Sequence, residues 1–187
     1  LASAEAARKA KSAGETLHAL DYQVYAYLQT AQDEQAARVV RELDAVLAEV
    51  NTAEQYGQAG FYAAAAIPAR YALERGDYKR AAALATRTTP FPFIDAITHF
   101  ARAVGAARSG DVASAKTDAG RLGELREALV KNKDEYWAQQ VQIEHMAALA
   151  WIALAEKKDD DAVNFLKQAV AMEDATDKAA ISPGPLA

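Results

Sequence analysis

The side chains that carry acid–base and metal chemistry are sparse in this 187-residue chain. Among its three histidines, His18 lies three residues before Asp21, so a helix would place both side chains on one face. Two ligands are too few for a closed metal site, and a hydrogen bond at a helix end or in a groove is the favoured interpretation. Glu144 and His145 lack the second histidine of a zinc-protease helix. We therefore predict no catalytic residue, no bound metal and no cofactor.

Other motifs of catalysis are also missing from the sequence. The chain has no cysteine, which excludes disulfides, thiol nucleophiles and zinc–thiolate sites. Gly57 and Gly60 do not form a phosphate-binding loop, and there is no serine nucleophile elbow. The acidic run at residues 159–161 suits a helix start and lacks the spacing of a calcium loop. A net charge of −5 disfavours a nucleic-acid partner.

The sequence pattern predicts helices along most of the chain, so any functional site must be built on helices. Apolar residues recur at helical spacing almost throughout, and alanine, the best helix former, makes up about a quarter of the chain. No segment alternates apolar and polar residues for long enough to predict a strand, so we predict an all-α protein. The predicted helices span residues 2–12, 15–30, 33–50, 60–75, 78–87, 92–108, 112–130, 134–156 and 159–173. Pro68 should bend or break the fourth helix.

The links between predicted helices are short. Gly76-Asp77 and Gly110-Asp111 each combine a helix stop with a helix start, because glycine accepts the left-handed conformation and aspartate caps free N–H groups. Such links predict antiparallel helix hairpins. Longer connections are expected at residues 51–60 and 88–92.

Related segments recur along the chain and carry a family resemblance. The second helix of each hairpin contains an alanine in the same setting, at Ala36, Ala81, Ala115 and Ala162. The step from Ala81 to Ala115 has the 34-residue period of the tetratricopeptide repeat, whereas the other two steps are longer. Twelve positions before these alanines stand the small residues Val24, Ala69, Ala103 and Ala150. The chain thus resembles a tetratricopeptide-repeat protein, and residues 17–28 look like a segment of large bacterial members.

The resemblance implies a right-handed superhelix, or α-solenoid, of about four antiparallel helix hairpins. The implied repeats span residues 17–50, 60–90, 94–130 and 140–175, within a single domain over residues 1–187 that ends in a tail at 176–187. The tryptophan usual early in each repeat is replaced by Leu20, Ala65, His99 and Met146. Because the chain begins at Leu1 and not at methionine, we expect a fragment of a longer protein.

The first helix of each hairpin lines the concave groove in the family the chain resembles. The groove residues implied here are His18, Asp21, Tyr25, Gln29, Arg70, Glu74, Phe100, Arg108, Glu144 and Trp151. As alternatives, Tyr25, Phe100 and Trp151 fill the core between repeats, and Arg70 forms a surface pair with Glu74. The paired lysine and asparagine with which some members hold a peptide carboxylate are absent.

Aromatic and charged side chains in a groove suit an extended peptide or a partner helix. We therefore predict a non-enzymatic scaffold that binds a protein or peptide partner. The alternative is a regulatory or substrate-recognition portion of a larger enzyme or transport system, or a groove for a small ligand. An apolar end near Phe165, Val170 and Met172 predicts a monomer or weak homodimer.

The sequence gives little information on the compartment. The longest uncharged stretch, residues 55–69, is too short to span a bilayer, so we expect a soluble protein. The absence of cysteine is compatible with the cytoplasm and with an exported or periplasmic location.

Overall fold

The computed structural model describes residues 2–49 and 57–176, and within these ranges every regular element is an α-helix. The helices are α1 (Ala2–Lys9), α2 (Ala13–Gln29), α3 (Asp33–Glu49), α4 (Gly57–Glu74), α5 (Tyr78–Ala82), α6 (Pro92–Arg108), α7 (Val112–Lys131), α8 (Glu135–Ala155) and α9 (Asp159–Asp174). The predicted all-α class is confirmed. Of the predicted connection at 51–60, residues 51–56 lie outside the described residues, as do residues 177–187 of the predicted tail.

The link from α6 to α7 shows how the sequence ends one helix and begins the next. The Gly110 N–H donates to the Ala107 carbonyl at 3.1 Å. The Asp111 N–H donates to the Ala106 carbonyl at 2.9 Å. Gly110 has a φ of 87°, the left-handed conformation that this turn requires. The Asp111 carboxylate then accepts the Ser114 N–H at 3.0 Å. The predicted stop and start at Gly110-Asp111 is therefore confirmed.

Five other links use the same left-handed turn. Gly76 has a φ of 66°, and the Asp77 carboxylate accepts the Arg80 N–H at 3.1 Å, as the second predicted glycine–aspartate link requires. Four further links place a residue other than glycine in this conformation, at φ between 54° and 62°. These residues are Lys11, Ala31, Lys133 and Lys157. Each of them carries a Cβ where glycine would be less strained.

Helix α5 is shorter than predicted, because it ends at Ala82 and not at residue 87. Contacts with α6 take the backbone groups that would continue it. The Leu84 carbonyl accepts a hydrogen bond from Arg102 Nη1 at 2.7 Å. The Thr89 N–H donates to the Asp95 carboxylate at 3.0 Å, which turns the chain into α6. The threonines of this segment have low helix propensity, so hydrogen bonds to α6 form in place of a further turn of α5.

Of the predicted bend or break at Pro68, the break is wrong, since α4 continues as one helix from Gly57 to Glu74. The proline ring removes one N–H, so the Ala64 carbonyl loses its helical partner. The neighbouring Ile67 and Ala69 are buried in a helix that packs against α2. Tertiary packing on both sides of the proline therefore outweighs the lost hydrogen bond.

The chain divides into two compact units, Leu1–Gly76 and Asp77–Ala187, and each has its own buried side chains. In the first unit α2 packs against α3 and α4. Its core includes Leu17, Leu20, Val24, Val39, Leu43 and Ile67. In the second unit α6 packs against α5, α7 and α8, and α8 packs against α7 and α9. Its largest fully buried side chains are Ile94, Leu122, Leu129 and Val141.

Candidate functional site

In the first unit, the predicted groove residues Asp21 and Arg70 pair with each other. Arg70 Nη1 donates to Asp21 Oδ1, and the two side chains are 7% and 12% exposed. Burial raises the pKa of Asp21 above its ordinary value, although the charge of Arg70 and its hydrogen bond act in the opposite direction. The alternative of a surface pair between Arg70 and Glu74 is wrong. The buried ion pair joins α2 to α4 and leaves neither charge available to a ligand.

Exposed aromatic rings flank this ion pair along α2. Tyr25 is 45% exposed, which excludes the alternative that it fills the core, and its ring centroid lies 5.7 Å from the guanidinium carbon of Arg70. His18 meets the edge of the Tyr22 ring with centroids 5.1 Å apart. The remaining predicted residues of this unit, Gln29 and Glu74, are exposed at the ends of α2 and α4. This surface is aromatic, but its neighbouring cation is already neutralised.

In the second unit, α6 and α8 lie side by side and run in the same direction. Near their first turns the Phe93 ring stacks on the Trp137 ring, with centroids 3.9 Å apart and planes 9° apart. Near their last turns the Arg108 guanidinium lies over the Trp151 ring, 4.4 Å from its centroid. Contacts at both matching ends require parallel helices. The sequence did not predict the Phe93–Trp137 stack, which fixes the register of the two helices.

Arg108 brings two aromatic rings together at the C-terminal end of α6. Its guanidinium carbon is 4.5 Å from the centroid of Tyr78 and 4.4 Å from that of Trp151. Arg108 is exposed, and it has no ion pair or hydrogen bond with any other residue of the described ranges. Both rings are partly buried. The predicted groove residues Arg108 and Trp151 are thus in contact. Tyr78, which also contacts Arg108, was not among the groove residues predicted from the sequence.

Gly105 explains how Tyr78 reaches this position. A Cβ built on Gly105 would lie 2.6 Å from the Tyr78 carbonyl oxygen and 2.5 Å from the Ala82 backbone nitrogen. Only glycine allows the backbones of α5 and α6 to approach this closely. The close approach places the Tyr78 ring beside Arg108, one turn further along α6. A glycine within the alanine-rich pattern of α6 was the available sequence signal for this crossing.

Glu144 lies on the same face of α8, two helical turns from both Trp137 and Trp151. Its Oε2 atom and Oε1 of Gln140, one turn earlier, are both buried, and neither has a hydrogen-bond partner among the residues that the structure describes. Burial raises the pKa of Glu144 from 4.5 to about 8, since no counter-charge offsets it. This predicted groove residue is therefore mainly uncharged at neutral pH.

A polar cluster centred on Asp118 joins α6 to α7. His99 Nδ1 lies 2.7 Å from Asp118 Oδ1, and Arg102 Nε donates to both carboxylate oxygens at 3.0 and 3.2 Å. Burial pushes the pKa of Asp118 upward, but the hydrogen bonds from His99 and Arg102 outweigh it and lower the pKa below its ordinary value. The sequence signal for this residue was a carboxylate between Ala115 and Leu122 in the apolar stripe of α7.

The remaining predicted groove residue, Phe100, is partly buried on α6, about two turns before Arg108. Within residues 2–49 and 57–176, no three His, Asp or Glu side chains lie close enough together to hold a metal ion. None of the described helices combines the length and apolar character needed to cross a bilayer. Comparisons of the chain with protein-family models, with curated proteins and with solved structures found no match.

Proposed function

We propose that this chain is a non-enzymatic, tetratricopeptide-like scaffold that binds a protein or peptide partner. The observation that carries the proposal is the contact of the exposed Arg108 with the Tyr78 and Trp151 rings. Successive helices joined by the same left-handed turn support the repeat part of the proposal. The binding surface that we propose lies on α6 and α8 of the second unit, with Tyr78 at its edge.

A comparison with Arg102 explains why this contact favours binding. Arg102 bonds the Asp118 carboxylate and the Leu84 carbonyl, so its donors serve the fold. Arg108 has aromatic contacts but no acceptor among the described residues, so its N–H groups stay available. Arginine and large aromatic residues are enriched where protein interfaces bind most strongly. The ring contacts also restrict the side chain before binding, which lowers the entropy lost when a partner arrives.

The other polar groups of the second unit support a binding role more than a catalytic one. Asp118 already accepts hydrogen bonds from His99 and Arg102, which weakens it as a base. Glu144 Oε2 is buried and has no hydrogen-bond partner among the described residues. We therefore propose that the site recognises a ligand and does not transform it.

A selection from a display library of random dodecapeptides tests this proposal. The purified chain would be immobilised, and enriched peptides would be compared on the parent, on Trp151→Ala and on Arg121→Ala. Arg121 is a matched exposed arginine on α7 that pairs with Glu124. We expect enriched peptides that bind the parent and the Arg121 variant equally and lose affinity for the Trp151 variant.

Circular dichroism would first establish that the Trp151 variant keeps its helical content and melts cooperatively. An Arg108→Gln variant gives a second test that removes no buried side chain. If no peptide is enriched above the bare support, or if enriched peptides bind all variants equally, the proposed binding surface is wrong.

A further inference from the structure

The chemistry around Arg108 restricts what this surface can bind. The guanidinium carbon of Arg108 lies over the rings of Tyr78 and Trp151, 4.5 and 4.4 Å from their centroids. Arg108 is exposed, and its N–H groups have no acceptor among the described residues, so a ligand can reach them. A guanidinium donates in its own plane, through a fork that matches two acceptor oxygens. The ligand group is therefore an anion with paired oxygens.

Two observations favour a carboxylate on a peptide over a larger polyanion. The chain carries a net charge of −5, which opposes the approach of a nucleic acid. A carboxylate is planar, so both of its oxygens can meet two in-plane donors of the guanidinium at once. The partly buried Trp151 ring, which Arg108 contacts, offers apolar contact beside the charge. An acidic residue next to apolar residues fits this combination.

Glu144 stands on the same face of α8 as Trp151, two turns away. An ionised carboxylate there would repel an acidic ligand. Burial raises the pKa of Glu144 to about 8, so this side chain adds little negative charge at neutral pH. The face beside Arg108 therefore tolerates an anionic partner although the chain as a whole is acidic.

We propose that the partner is an acidic peptide segment, with an aspartate or glutamate side chain bound in plane to Arg108 beside Tyr78 and Trp151. This inference rests on the proposed binding function and names the chemistry of its ligand. It assigns Arg108 as the specificity-determining residue and the two rings as the groups that orient it. A positive charge at position 108 is not sufficient for this binding, because the carboxylate also needs the two forked N–H donors of a guanidinium.

The dodecapeptide selection provides the first test when the peptides are displayed with their C-termini fused to the carrier. Carboxylates then come only from aspartate and glutamate side chains. We expect one register position of the enriched peptides to be acidic. Enrichment without an acidic position would overturn this inference and leave the proposed function standing, whereas no enrichment at all would count against the proposed function itself.

A double-mutant cycle then tests the contact directly. The best peptide, synthesised with both ends blocked, would be titrated against the parent, Arg108→Gln and Arg108→Lys, alongside a peptide with glutamine in place of its acidic residue. We expect about a 10- to 100-fold loss for either single change to glutamine and little further loss for the two together. Arg108→Lys should lose most of the same affinity, and Arg121→Gln should lose none.

Three results would overturn the inference. Additive losses in the cycle would show that the peptide carboxylate and Arg108 do not meet. Full affinity of Arg108→Lys would show that charge suffices without the fork. Tighter binding when phosphoserine replaces the acidic residue would show that the site selects phosphate. The melting temperature of each variant, measured beside the titration, would identify any loss that comes from unfolding.

Discussion

Replacement of Glu144 by glutamine should stabilise the second unit at neutral pH and remove much of its pH dependence. The Oε2 atom of Glu144 lies buried without a hydrogen-bond partner in the described part of the chain, and burial raises the pKa of Glu144 from 4.5 to about 8. Glutamine has nearly the same shape and carries no charge. Its amide also supplies a donor one turn from the unpartnered Oε1 of Gln140.

The size of the effect follows from the pKa. Because the folded pKa lies above the unfolded value, the folded state holds the proton more tightly between pH 4.5 and about 8. The free energy of unfolding therefore falls as the pH rises through this window, by about 1.4 kcal/mol per pH unit. The parent loses roughly 3 kcal/mol by pH 7 and roughly 5 kcal/mol above pH 8. These are upper limits, since local rearrangement around the carboxylate lowers them.

Urea unfolding from about pH 5 to about pH 9, monitored by tryptophan fluorescence, measures this effect. Both tryptophans of the chain lie in α8, so the signal reports on the second unit. The control is Glu127→Gln, which removes an exposed carboxylate paired with Arg126 and should change stability by less than about 0.5 kcal/mol. If Glu144→Gln and the parent keep the same stability difference at both ends of the pH range, Glu144 ionises normally and the reasoning is refuted.

Three further substitutions test the packing and the turns. Gly105→Ala should destabilise the chain by about 1–3 kcal/mol in urea unfolding, because the added Cβ would meet the α5 backbone. The control is Gly120→Ala, where a Cβ would have open space, and this change should stabilise the chain by about 1 kcal/mol. Equal changes in stability for the two variants would contradict the close crossing of α5 and α6 at Gly105. Ala31→Gly should raise stability by about 1 kcal/mol, since Ala31 has a φ of 54°; a loss would show that its turn favours a side chain. Asp118→Asn should cost about 3 kcal/mol at pH 7 by leaving Arg102 without its carboxylate. That cost should shrink as acid protonates Asp118 in the parent, and a constant cost would argue against an ion pair.

Local signals predicted most of the helix boundaries because the groups that end a helix lie next to it in sequence. Gly110 and Asp111 show this, since the turn and the cap that they form need only neighbouring backbone groups. The same holds for Gly76 and Asp77. Apolar spacing was sufficient for the all-α class, because each helix buries one stripe regardless of which helix covers it.

Where partners are distant in sequence, the predictions failed or were incomplete. The end of α5 depends on Arg102, which takes the Leu84 carbonyl from 18 residues away. The break expected at Pro68 was overridden by packing against α2. Tyr78 escaped notice as a site residue because its contact with Arg108 depends on the close crossing at Gly105. No local pattern encodes such contacts.

Arg70 and Arg108 illustrate why residue type alone does not locate a site. Both follow apolar residues on long helices, and both lie near aromatic rings. Arg70 meets Asp21, which is 49 residues away in sequence, and becomes part of a buried ion pair. Arg108 meets two rings and no carboxylate among the described residues, so its charge stays available. The difference lies in what the fold places opposite each guanidinium, and of these two arginines only Arg108 keeps its N–H groups without an acceptor among the described residues and exposed to solvent.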